Sequence, residues 1–400
     1  MLTPQQLTEV IDTMQPILDG LNAFISRDII RRIMARLGRG EDLMLTATDE
    51  WQLQVLQEAG GHLEEVQAEI QRFTKASDTE LQAVFETAGI TAWEADRAIY
   101  EALGLTTAPL PQSDRMVKIV NDTYQRTKGT IDNFTRTTAT ASQQRLIKLL
   151  DTAHFRVLTG AQAYTAAVSD VINEIAKEQI RVVYPTGHSD TIETAVLRAV
   201  RTGVAQATGN IAVQGMKENK WDLVRVSAHL GARIGDGGEN PSNHYWWQGG
   251  LYSLSGESKK YPDFYESTGY GTGEGLCGWN CRHSFGPGDE EHNPFKKYDS
   301  EENKEAYELS QKQRTYEARI RKSKSEVLTI DEAIKNCQDE SLLESLNADY
   351  QKAAKLLQRR NAQYNTFCDE HNLKKLSDRV KIARWDRKQA AKATAAARKE

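Results

Sequence analysis

The segment GLCGWNCRHSFGPG, residues 275–288, sets two cysteines, a Trp, an Arg and a His between glycines, in a chain that has four cysteines in all. Read as an extended strand, its WNCRHS portion puts Trp279, Cys281 and His283 on one face and Asn280 and Arg282 on the other, because strand side chains alternate. The segment closes a stretch, 221–288, unlike the rest of the chain. It holds most of the 27 glycines and the aromatic run HYWWQGGLYSL at 244–254. It opens with WDLVRVSAH, in which Val224, Val226 and Ala228 alternate with Arg225, Ser227 and His229, the pattern of a half-buried strand. A small β-containing core rich in Gly and aromatics, inside an otherwise helical chain, makes the expected fold class α+β and mostly helical.

Outward from this core the periodicity is helical. In LNAFISRDIIRRIMARL, Leu21, Phe24, Ile25, Ile29, Ile33 and Leu37 recur on one helix face, and Gly38 and Gly40 end it. Two further helical segments are expected at about 49–73 and 78–103, then a GLTTAPLP loop at 104–111. Helical patterning resumes over 115–181, poor in large aromatics, which suggests helices that pack on partners. VVYPTGHSD, 182–190, reads as a turn, with Asp190 and Glu193 as the capping box of the next helix. That helix carries Ile192, Ala195, Val196, Ala199, Val200, Gly203, Val204 and Ala207 as a stripe of small residues suited to close packing. After 298 the segments 301–337 and 338–371 alternate Lys/Arg with Glu at helical spacing, like a hairpin of charged helices. The Ala/Lys-rich KQAAKATAAARKE is expected to stay frayed until bound. Three regions are therefore expected: helices over 1–181, the α+β core over 182–297, and a charged hairpin with a basic tail over 298–400.

The bulk numbers narrow the function. A 400-residue chain with 39% apolar and 27% charged residues and mean hydropathy −0.60 suits a protein with much exposed helix. Net charge −5 argues against a simple DNA-coating protein. Charge is nevertheless uneven: residues 1–110 hold 8 basic against 18 acidic side chains, whereas 371–400 hold 10 against 3. That basic end suits nucleic acid or an acidic partner surface. Four cysteines do not make a disulfide framework, the opening residues are too polar for a signal peptide, and no apolar run reaches membrane-spanning length. Synthesis in a reducing cytosol is the expectation.

Chemistry concentrates in the core. His229, His244, Cys281 and His283 are candidate ligands of a tetrahedral zinc site, with Cys277 as a substitute, since imidazole and thiolate suit Zn²⁺. The competing bland reading has these histidines hydrogen-bonded to carbonyls and Cys281 packed as a small hydrophobe. A catalytic reading groups Arg225, Ser227, His229 and His283 into a nuclease-like or toxin-like site of two imidazoles and a guanidinium. The run GYGTGEG, 269–275, lacks the Gly-Lys-Ser/Thr ending of a phosphate loop, so its glycines are read as turn formers.

At these residues the sequence resembles the phage minor capsid protein 2 family, itself distantly similar to Mu-F-type head morphogenesis proteins. The likeness rests on Ser227, His229 and Arg233 in SAHLGAR, on Trp247, Gln248 and Gly249, on the Gly269–Gly275 run, and on Asn280, Cys281, Arg282 and His283. It continues through YELSQKQRTYEARIRKSK at 307–324. The resemblance implies a structural minor head protein, not an enzyme. It implies association with the portal protein, and with major capsid or scaffold protein, in head assembly, DNA packaging or ejection. The virion would then be its location, with the basic end near packaged DNA.

Overall fold

A computed structural model describes residues 1–40, 48–177, 181–184, 187–295 and 297–398. It is α+β and mostly helical. The helices in chain order are α1 (Pro4–Asp12), α2 (Gln15–Leu37), α3 (Thr48–Ala102), α4 (Asp114–Leu158), α5 (Tyr164–Lys177), α6 (Ile192–Glu218), α7 (His244–Trp247), α8 (Phe264–Thr268), α9 (Ser300–Asn336), α10 (Glu340–Glu370) and α11 (Arg387–Ala397). The strands are β1 (Arg181–Val183), β2 (Ser189–Thr191), β3 (Leu223–Val226), β4 (Leu251–Ser253) and β5 (Phe285–Pro287). Two compact units each draw on three separated segments. One unit takes Met1–Gln15, Lys75–Asn133 and Thr194–Gln311; the other takes Pro16–Thr74, Phe134–Glu193 and Lys312–Glu400.

The first unit is built around α6. Three of its glycines sit where a side chain would collide. A Cβ on Gly203 would lie 2.2 Å from Thr127 Oγ1, one on Gly209 2.8 Å from Tyr270 Oη, and one on Gly215 2.4 Å from the Trp93 ring. The small-residue stripe therefore lets one helix pack against α3, α4 and the aromatic core at once. A three-stranded antiparallel sheet of order β4-β3-β5 completes this unit. Val224 pairs with Tyr252 on one side and Pro287 on the other. Val224 and Val226 are fully buried and Arg225 half-buried, as the alternation requires. Pro287 has no N–H to donate, and its place on the edge strand β5 fits that.

The second unit is a helical assembly. Leu21, Ile25, Ile29, Ile33 and Leu37 of α2 are all buried along the expected stripe. The charged hairpin is present as α9 and α10, joined through residues 337–339, with the Asp339 carboxylate accepting from Leu342 N at 2.7 Å as N-cap. Ser169 and Asn173 of α5 donate to the Asp349 carboxylate of α10 at 2.6 and 2.8 Å.

Four local expectations are corrected. The segments at 49–73 and 78–103 form one helix, α3: the Asp78 carboxylate, which would cap a second helix, instead accepts from Tyr124 Oη at 2.5 Å. Patterning over 115–181 is split, since α4 ends at Leu158 and α5 begins at Tyr164. Asp190 lies in β2, its backbone paired with Val182, and the helix starts two residues later at Ile192. Of the turn between β1 and β2, Pro185 and Thr186 lie outside the described residues. The Ala/Lys-rich end is not frayed over 387–397: α11 buries Ala393, and Lys392 is ion-paired with Asp331.

Candidate functional site

The decisive segment folds as a knot of turns rather than as a strand. Leu276 N donates to Thr268 O at 2.9 Å, Trp279 N to Gly273 O at 2.7 Å, and Cys281 N to Gly278 O at 3.2 Å. Cys277 and Asn280 take left-handed backbone conformations, φ 59° and 55°, which no strand contains. Two glycines permit the knot, because a Cβ on Gly275 or Gly278 would stand 2.3 Å from a carbonyl oxygen of the preceding turn. Trp279 is consequently 57% exposed while Cys281 and His283 are 1% exposed, so the three do not share a face. The GYGTGEG run spends its backbone groups within this knot. Pairing with β3 begins where the knot ends: Ser227 N donates to Ser284 O, and Ser284 N to Ser227 Oγ, both at 2.9 Å.

The knot delivers Cys281 and His283 to the short helix α7, which carries His244. One ligand atom from each of His244, Cys281 and His283 lies within 4.8 Å of the other two, and all three side chains are buried. Trp247 covers the group, its ring 4.6 Å from that of His244 and 4.8 Å from that of His283. Gln248 acts as a bracket. Its Oε1 accepts from His229 N at 3.0 Å and stands 3.1 Å from His283 Nε2. A backbone N–H can only donate, so the atom facing it is the amide oxygen. His283 Nε2 must therefore carry the proton, and His283 Nδ1 is left with its lone pair, 3.8 Å from Cys281 Sγ.

His244 Nε2 meets Glu274 O at 2.8 Å and Arg233 Nη2 at 3.1 Å. The carbonyl requires a proton there. Arg233 Nη2 has another acceptor in Trp279 O at 3.0 Å, so the proton stays on Nε2 and this ring too keeps its lone pair on Nδ1.

His229 is not part of the cluster. Its ring stacks on that of His283, centroids 4.4 Å apart, and its Nδ1 donates to Leu230 O at 3.1 Å. Cys277 lies just outside it: both Cys277 Sγ and Cys281 Sγ donate to His283 O at 3.9 Å. The catalytic grouping does not assemble as a unit. Ser227 Oγ is engaged by Ser284 N, and the charges acting on Arg225 are those of Asp96 and Asp289, so the guanidinium is not turned to the histidines. Of the motif residues, Gln248, Gly249 and Arg233 are the supports: Gly249, at φ 68°, donates to Ser227 O at 3.3 Å. Arg282 is half-buried beside His229 and His283, and Asn280 is exposed at the turn.

Burial sets the electrostatics. It lowers the His244 pKa to about 3, with Arg233 adding to the effect, and holds His283 well below the ordinary imidazole value. Burial likewise lowers His229, raises Cys281 to about 11 and holds Cys277 well above the ordinary thiol value. At neutral pH the cluster is thus a set of neutral imidazoles and protonated thiols. Among the described residues, the hydrogen bonds around its rings go to carbonyl, amide and sulfur atoms and to a guanidinium, none to a carboxylate. That is a poor acid–base pair and a good set of soft donors.

The second unit holds a cluster that no local sequence pattern announces. Asp28 Oδ2 is 2.6 Å from His62 Nδ1, and His62 Nε2 is 3.1 Å from Ser142 Oγ. The three side chains come from α2, α3 and α4 and are no more than 2% exposed. The arrangement has the order of a Ser-His-Asp triad, yet Ser142 donates to Ala139 O at 2.8 Å and is sealed from solvent.

A model of the family described as phage minor capsid protein 2 matches residues 2–369. The chain belongs to the phage minor capsid protein 2 family. A curated relative, "Structural protein" of Lactococcus phage LL-H, is 23% identical over 317 residues, covering 74% of this chain and 81% of that protein. No solved structure matches. A phage structural role and a place in the virion follow from this membership. No helix of the described residues is long and apolar enough to cross a membrane.

Proposed function

We propose that this minor capsid protein sits at the portal vertex, made in the host cytoplasm and built into the head through contacts with the portal protein and with major capsid or scaffold protein. The observation that carries the reading is the family match over nearly the whole chain, joined to a structural relative of similar extent. The surface supports it. Leu53 and Leu56 of α3 and Phe155 and Leu158 of α4 are 59%, 61%, 66% and 47% exposed, in a part of the chain where Trp51 stacks on His154 at 4.2 Å. Large apolar side chains left in water are what a protein with an assembly partner presents.

The same reading sets the basic end near packaged DNA, with much of its charge already engaged within the protein. Lys375, Arg379, Lys381, Arg384 and Lys392 are ion-paired with Asp369, Glu317, Asp378, Glu332 and Asp331, which reduces the charge available to phosphates. The test is quantitative mass spectrometry of purified particles. A copy number matching one vertex ring is expected. Absence from particles, or a copy number matching the whole shell, overturns the vertex assignment.

A further inference from the structure

We propose that the buried cluster of the first unit is a zinc site with His244, Cys281, His283 and Cys277 as its four ligands. Zinc held tetrahedrally by nitrogen and sulfur sets its ligand atoms roughly 3.3–3.8 Å apart. The His283 Nδ1 to Cys281 Sγ distance is already 3.8 Å, and the His244, Cys281 and His283 ligand atoms lie within 4.8 Å of one another. Closing the widest pair among these three onto an ion takes a movement of about 1 Å, and Cys277, outside the three, must turn its sulfur from the His283 carbonyl to join them.

The orientation of the rings is the second argument. Metal-binding histidines commonly donate their remote N–H to a carbonyl or a similar oxygen, which fixes the tautomer and frees the other nitrogen. Both rings do so here, His283 to Gln248 Oε1 and His244 to the Glu274 carbonyl. The outer shell of a metal site is therefore in place.

Charge selects the fourth ligand. Zinc with a single thiolate would leave a net positive charge buried beside Arg233, an unfavourable arrangement. Two thiolates make the centre neutral. Cys277 is the available second sulfur: it is 2% exposed and, with Cys281, points at the carbonyl of His283. It also holds a left-handed backbone position, φ 59°, where a glycine would be free of strain, and the adjoining residue is a glycine. Binding releases the two thiol protons to solvent as Zn²⁺ takes both thiolates, with no change of oxidation state. Imidazole with thiolate in a closed tetrahedral set is zinc chemistry, whereas Mg²⁺ and Ca²⁺ select oxygen.

The experiment is metal analysis of the full chain purified without added metal, followed by cobalt substitution. One zinc per chain is expected, exchangeable for Co²⁺ with the intense visible bands of a tetrahedral site and a sulfur-to-cobalt charge-transfer band. Cys277→Ser should lower that charge-transfer band by about half, one thiolate of two being lost, and Cys281→Ser should abolish stoichiometric binding. Gln248→Met keeps the ligands but removes the oxygen that orients His283. It should weaken zinc about 10–100-fold in a chelator competition while the circular dichroism is unchanged, so the proposal remains testable if a cysteine variant fails to fold. Protein that carries no zinc and gives no tetrahedral spectrum on adding Co²⁺ overturns the site. An unchanged charge-transfer band in Cys277→Ser overturns the fourth ligand.

Discussion

Among the described residues, two buried histidine clusters differ in an instructive way. In one unit His62 stands between Asp28 and Ser142, with Arg32 Nε donating to the same Asp28 carboxylate oxygen at 2.7 Å. Charge there is balanced within the protein, and both ring nitrogens have partners. In the other unit His244 and His283 face sulfur and a guanidinium, with lone pairs left over after their N–H groups are placed. A cluster containing its own carboxylate and arginine is complete as a polar staple between helices. A cluster of neutral soft donors has capacity for a cation. Resemblance to a catalytic triad is thus a weaker guide than an account of who donates and who accepts.

The largest expected effect that tests the contrast is at Asp28. Asp28→Ala removes the carboxylate shared by His62 and Arg32 Nε and should cost about 3 kcal/mol, near the lower end for breaking a buried pair because Arg32 keeps Glu58 and Glu65 as partners. Urea unfolding followed by circular dichroism measures it, and a cost near zero would remove the staple interpretation. Ser142→Ala should cost about 1 kcal/mol, the loss of an ordinary buried hydrogen bond, and should leave any activity toward ester or peptide substrates unchanged. A hydrolytic activity that disappears with Ser142 would make the triad geometry functional after all.

The smallest effect is in acid. Burial raises the Asp28 carboxyl, but hydrogen bonds from His62 and Arg32 outweigh it, and the pKa falls below 3.8. Asp331, Glu332 and Asp349 are lowered in the same way, against burial, by Lys335 with Lys392, by Arg27 with Arg384, and by Ser169 with Asn173. A carboxylate with a depressed folded pKa gives stability that is present above its unfolded value and lost as pH falls through the folded one. The second unit should therefore begin to lose stability below about pH 4. A melting temperature that stays level from neutral pH down past that point would contradict it.

Much of the helical frame is legible in the sequence because it rests on local periodicity. The α2 stripe, the charged hairpin and the β3 alternation follow from residue spacing alone. The candidate cluster was legible in part. His244, Cys281 and His283 stand out as donors in one short stretch, but the alternation of WNCRHS imitates a strand, and only the left-handed turns at Cys277 and Asn280 show otherwise. Gln248 was visible as a motif residue without its role, since bracketing His229 and His283 is a matter of geometry. Asp28, His62 and Ser142 carry no signal, because 34 and 80 residues separate them and each is unremarkable in its own helix. Asp78 shows how a good capping residue is diverted when a phenol takes its carboxylate first, and Asp190 how the position itself is lost when the backbone there runs as a strand.

The division of the chain into interleaved units bears on how the protein is made. On a ribosome the first unit lacks a third of its segments until Thr194–Gln311 has emerged, and the second waits for Lys312–Glu400. Long-range closure comes late, and unpaired apolar helix faces are carried through most of synthesis. Cutting such a chain after residue 181 leaves neither fragment with a complete unit. A folded first unit thus requires Thr194–Gln311 to have been made, and a folded second unit requires Lys312–Glu400 as well.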